Sequence, residues 1–118
     1  MDYRIQFGGT LTFDDTVDLV TIVLNFIETG NDGAGTFALT PDFSLEGIPG
    51  GGFLVTTAPP YMGDIFVGVT SGESIVEGAD NTKLCMLVTG PDEITVTFDD
   101  GLGGGCVPLV PPLIIDLT

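Results

Sequence analysis

Histidine and tryptophan are both absent from the 118 residues, and Arg4 and Lys83 are the only basic side chains. Without histidine there is no imidazole to move a proton near neutral pH and no His-ligated zinc, and two cations cannot form a phosphate clamp. Seventeen acidic residues leave a formal charge of −15, which repels a nucleic-acid backbone or an anionic membrane surface. Neither nucleic acid nor membrane is expected as a partner. The longest apolar-rich stretch, Val17 to Ile27, is interrupted by Asp18, Thr21 and Asn25. It falls short of the roughly 20 residues that span a bilayer and has no flanking Lys or Arg. Met1-Asp2-Tyr3-Arg4 shows neither the basic start nor the apolar core of a secretory signal.

Catalytic patterns are missing too. Ser44, Ser71 and Ser74 have no histidine to activate them, and Lys83 is not part of a Ser-x-x-Lys pair. Gly50-Gly51-Gly52 is not followed by the Lys-Ser/Thr of a phosphate loop. Glycoside hydrolysis needs two carboxyl groups converging in a cleft, whereas the acids here are adjacent in sequence or sit in turns. The chain reads as a non-enzyme. With Tyr3 and Tyr61 as the only tyrosines, a sugar-stacking platform would be thin.

Thr, Val and Ile together supply 35 residues, and such β-branched side chains lose rotamer freedom in helices but pack well on pleated surfaces. Eighteen Gly and eight Pro punctuate the chain, while 43% hydrophobic residues and a mean hydropathy of +0.47 argue for a packed fold. The length suits one domain over 1–118.

Strand periodicity is readable in most of it. Tyr3–Phe7 and Thr10–Phe13 alternate apolar and polar residues on either side of Gly8-Gly9, which predicts a strand, a kink or bulge, and a second strand. Thr16–Glu28 is apolar on both parities, as in a central strand buried on both faces; a helix capped by Asp15 is the competing reading. Thr29–Gly33 predicts a hairpin turn into a strand over Gly35–Leu39 that Pro41 ends. One strand and two long loops are expected between Asp42 and Pro60. Asp64–Thr70 with Ser74–Glu77 forms a second expected hairpin around Ser71-Gly72-Glu73. Lys83–Thr89 with Glu93–Phe98 forms a third around Gly90-Pro91-Asp92, with Ile94, Val96 and Phe98 on a dry side and Thr95 and Thr97 on a wet one. The echo between Thr10–Asp15 and Thr95–Asp100 is explained by two strands of one sheet meeting the same packing problem. The expected class is all-β, an antiparallel β-sandwich or jelly-roll-like domain of about eight to ten short strands, with a compact barrel as the alternative.

Three groups of residues carry functional expectations. A Cys85–Cys106 disulfide would close a loop of about 20 residues and add roughly 3 kcal/mol, implying an oxidising setting outside the cell or on a virion surface; the alternative is two buried thiols. Asp14, Asp15, Asp99 and Asp100 are the candidate metal ligands, with Ca²⁺ as the only cofactor to consider and solvated turn acids as the plainer reading. No loop fits an EF-hand. Finally, 107–118 reads as a Pro-rich apolar C-terminal strand or arm. Its Leu109, Val110, Leu113, Ile114 and Ile115 must be covered, by its own domain or by a neighbouring subunit. The leading expectation is therefore a non-catalytic structural protein that self-associates or coats a larger particle, as a virion surface component or extracellular fibre subunit. Its partners would be copies of itself or another structural protein. The alternative is a secreted or cell-surface module that binds glycan or protein, assisted by Ca²⁺.

Overall fold

The computed structural model describes residues 1–14, 19–47 and 51–117. Its ten strands are β1 (Asp2–Asp14), β2 (Leu19–Asn31), β3 (Thr36–Glu46), β4 (Phe53–Thr57), β5 (Tyr61–Asp64), β6 (Gly68–Ser71), β7 (Glu73–Glu77), β8 (Lys83–Gly90), β9 (Glu93–Asp99) and β10 (Val107–Asp116). A 3-10 turn at Ala79–Asn81 joins β7 to β8. The all-β antiparallel class is what the chain adopts. All ten strands, however, join one sheet in the order β1-β2-β3-β4-β7-β8-β9-β10, with β5 against β3 and β6 against β5; they are not divided between two stacked sheets. Nor are they uniformly short, since β1 and β2 have 13 residues each.

The expected kink at Gly8-Gly9 does not occur. The β1–β2 register runs unbroken from Asp2 opposite Asn31 to Asp14 opposite Leu19. Gly8 serves close approach instead, because a Cβ there would lie 2.5 Å from the Leu24 carbonyl oxygen. The Val17–Ile27 stretch is strand rather than helix from Leu19 onward; the Asp15 cap and residues 16–18 lie outside the described residues. It is not buried on both faces, because β1 beside it is the last strand of the sheet and Leu19, Val23 and Leu24 remain exposed.

Pro41 does not end its strand. Its carbonyl is turned toward β4, so its missing N–H is missing from that side and leaves the β2 ladder, with Pro41 opposite Phe26, intact. What Pro41 ends is the pairing of β3 with β4, which covers Phe43–Leu45. Side chains replace the lost ladder: Thr57 Oγ1 donates to the Pro41 carbonyl at 2.7 Å, and the Thr57 N–H donates to Asp42 Oδ1 at 2.7 Å. Beyond this point Thr36–Leu39 pairs with β5 instead, so the sheet forks at Pro41. The expected second hairpin is therefore absent. Residues 65–67 turn β5 into β6, Gly72 (φ 133°) makes a corner, and β7 pairs with β4 and β8. Ile75 finds Cys85 across the ladder rather than a β6 residue because the chain leaves β6 at that corner. The third hairpin forms as expected, with Asp92 at positive φ.

Opposed residues in an antiparallel ladder share a face, so the register assigns every side chain to one of two faces. One face carries Ile5, Phe7, Leu11 and Phe13 of β1, Val20, Ile22, Leu24 and Phe26 of β2, and Phe37, Leu39, Phe43 and Leu45 of β3. It continues through Phe53, Val55, Val76, Leu84, Met86, Val88, Ile94, Val96 and Phe98 to Leu113 and Ile115. This is the dry face, and the expected split of β9 is part of it. The buried side chains among the described residues, those of Val55, Thr57, Ser74, Val88, Ile94 and Val96, lie on it. They are enclosed because the fork closes on itself: the Val88 N–H donates to the Gly72 carbonyl, while Asp92 and Val69 exchange bonds through the Asp92 N–H (2.8 Å) and Asp92 Oδ1 (2.8 Å).

Candidate assembly surface

The enclosure stops at β3. The hairpin of β1 and β2 extends beyond it as a wing whose dry face no other described strand covers, and Phe7, Leu11 and Phe13 are 52%, 55% and 53% exposed, against 4% for Val96 on the same face. Phe7 stacks on Phe26 with ring centroids 4.9 Å apart, which orders the surface without covering it. Gly9 interrupts the row of side chains and leaves a groove of about 360 Å³ lined by Phe7, Leu11, Ile22 and Leu24. The radius of gyration, 16.5 Å, exceeds the roughly 13.5 Å of a compact domain of this length. The accessible surface, 7431 Å², exceeds the roughly 6,100 Å² expected for the mass.

Charge is distributed by the same pleat. Asp2, Asp14, Asp42, Glu46, Asp64, Glu73, Glu77, Glu93, Asp99 and Asp116 all fall on the opposite, wet face, and Asp32, Asp80, Asp92 and Asp100 lie in turns and loops. Among the described strands, Glu28 alone places a carboxylate on the dry face. It sits at one end of the wing, where it raises the pKa of the Tyr3 phenol above 10.0, chiefly by accepting the phenolic hydrogen bond and also by repelling the phenolate. The middle of the wing is free of charge.

Cys85 and Cys106 form the disulfide, with Cα atoms 6.4 Å apart. The bridge crosses β9: Cys85 lies opposite Thr97, and Thr97 lies opposite Pro108, two residues past Cys106. It staples the edge strand β10 to β8. A disulfide is what an oxidising compartment permits, and among the described residues no helix is long and apolar enough to cross a membrane.

Of the four aspartates proposed as ligands, the described ones are not all brought together. Asp14 ends β1 and Asp99 ends β9, with β2, β3, β4, β7 and β8 between them in the sheet, and Asp15 lies outside the described residues. Asp99 and Asp100 cap their own loop, accepting from the N–H groups of Gly101 (2.8 Å) and Leu102 (2.9 Å). Among the described residues no group of three or more acidic or cysteine side chains could hold a metal ion. A shallow groove does bring Glu46 and Glu77, distant in sequence, to a common rim, and both are exposed to solvent.

The C-terminal segment is an edge strand of its own sheet, paired to β9 at Val107–Pro108 and Leu113–Asp116. The intervening bulge, with a cis Val110–Pro111 bond, leaves Val110 fully in solvent. Leu109 and Ile115 are half-buried; Leu113 and Ile114 are exposed, on opposite faces. Sequence reasoning singled out this segment and missed the wing. The apolar residues at odd positions from Ile5 to Phe13 were visible, but not the absence of a layer over them. No protein-family model matches the chain, and no curated protein or solved structure does.

Proposed function

We propose that the chain is a non-catalytic structural subunit that self-associates by stacking the dry face of its β1–β2 wing on the same face of a second copy. The exposed apolar wing carries this reading. Half-exposed phenylalanines leave roughly 100 Å² each, so Ile5, Phe7, Leu11, Phe13 and Leu24 offer about 450 Å² per copy. That is a little over half of the roughly 800 Å² per partner of a standard-size interface, and Val20, Ile22 and Phe26 add to it. Stacking would bring no clustered acids together despite the charge of −15 on each chain. It would also create between copies, with sheets about 10 Å apart, the two-layer sandwich that no chain forms alone. A disulfide-stapled subunit of this kind fits a coat or fibre outside the cell.

The solution mass of the full chain tests this, by sedimentation equilibrium in calcium and again in chelator. The wild type should form an oligomer in both, and Leu24→Glu, which puts a carboxylate on the wing, should lower its mass with unchanged circular dichroism. A wild-type monomer at all concentrations would sink the reading and favour a monomeric module for glycan or protein. Loss of the oligomer in chelator alone would instead make calcium part of the contact.

A further inference from the structure

The two edges of the sheet are built differently. β10 carries Pro108, Pro111 and Pro112 and a bulge, which deny a neighbour a regular ladder. β1 has no proline, runs 13 residues in unbroken register, and among the described strands pairs with β2 alone. The Met1 carbonyl accepts from the Asp32 N–H, so odd residues of β1 direct their backbone groups to β2 and even residues direct theirs outward. The outward set is Asp2, Arg4, Gln6, Gly8, Thr10, Thr12 and Asp14.

We infer that this edge pairs with β1 of a second copy, antiparallel about a twofold axis at Gly9, with Arg4 of each chain opposite Asp14 of the other. The inference rests on the reading of the chain as a self-associating subunit but uses a different surface. A twofold axis normal to the sheet keeps the dry face continuous across the junction. Charge then selects the register. Centred on Gly8, Asp2 would oppose Asp14 at both ends, a like-charge pairing; centred on Gly9, one of the chain's two cations meets a carboxylate at both ends. In that register Ile5 faces Phe13 and Phe7 faces Leu11 on the dry side, and Gln6 faces Thr12 on the wet side. Among the described residues Arg4 has no carboxylate within ion-pair distance in its own chain. Edge pairing and face stacking use different twofold axes, so together they propagate from copy to copy rather than closing at a dimer.

Two measurements on the full chain test the edge contact, both made in the Leu24→Glu background so that stacking does not contribute. Gly9→Cys adds a Cβ that meets nothing within 4 Å. At the axis the two substituted positions would oppose each other at a non-hydrogen-bonded site about 4.5 Å apart, within disulfide reach. Mild oxidation should give a dimer joined through position 9 by peptide mapping, and Thr10→Cys should not cross-link to itself. Separately, Arg4→Glu should weaken low-salt association about tenfold, and Arg4→Glu/Asp14→Arg should restore it. No cross-link at position 9, or equal association of the parent and both charge variants, overturns the inference. If Leu24→Glu alone leaves the wild-type mass unchanged while position 9 still cross-links, the stacking reading fails and the edge contact stands.

Discussion

Removing one buried hydroxyl should expose how the fork at Pro41 is held. Thr57 and Ser74 are each 4% exposed, and their hydroxyls lie 2.7 Å apart. Thr57 Oγ1 gives its proton to the Pro41 carbonyl, so Ser74 must donate to Thr57. Thr57→Val keeps the shape and deletes both bonds. The Pro41 carbonyl has no ladder donor on that side, and a buried acceptor left unsatisfied costs about 1–3 kcal/mol. Ser74 loses its acceptor as well, so a loss of about 2–3 kcal/mol is expected. With a urea m-value of about 1.5 kcal/mol/M, the midpoint falls by roughly 1.3–2 M, measured at one fixed protein concentration because assembly makes stability concentration-dependent. Thr57→Ser, which keeps the hydroxyl, should lose less than half as much. If Thr57→Val unfolds at the wild-type midpoint, or if Thr57→Ser falls as far as Thr57→Val, the hydroxyl does not hold the fork.

Two further outcomes follow from the closures. Reducing Cys85–Cys106 should lower stability by about 3 kcal/mol on the loop-entropy estimate, and amide exchange should quicken first in β10, which the bridge ties across β9. Asp92→Ala removes the carboxylate that receives the Val69 N–H and places Ala at φ 53°, so it should cost about 1–3 kcal/mol in urea denaturation; Asp92→Asn, which keeps an acceptor and tolerates that φ, should cost less.

Local chemistry made much of this protein legible in one dimension. The alternation in Glu93–Phe98 and the turn at Gly90-Pro91-Asp92 depend on neighbours within a few residues, and the β8–β9 hairpin formed as they imply. The pairing of Cys85 with Cys106 followed from a short loop closing over that same hairpin. Readings failed where the outcome depended on which distant strand arrived. Pro41 looked like a strand end, because a proline's missing donor can be judged only once the side it faces is known. Gly72 looked like a hairpin turn, but it is a corner that sends β6 and β7 to different partners.

The sequence by itself determined the class, through its β-branched content and period of two; the charge, through its composition; and the apolar and acidic parities of each strand, since side chains must alternate along an extended backbone. Only the tertiary structure decided that all the strands share one sheet, that the sheet forks at Pro41 and closes over Val88, Ile94 and Val96, and that the closure leaves the β1–β2 wing outside. Burial is a property of what lies opposite a face, and no local pattern in Ile5–Phe13 records whether a second layer will be there.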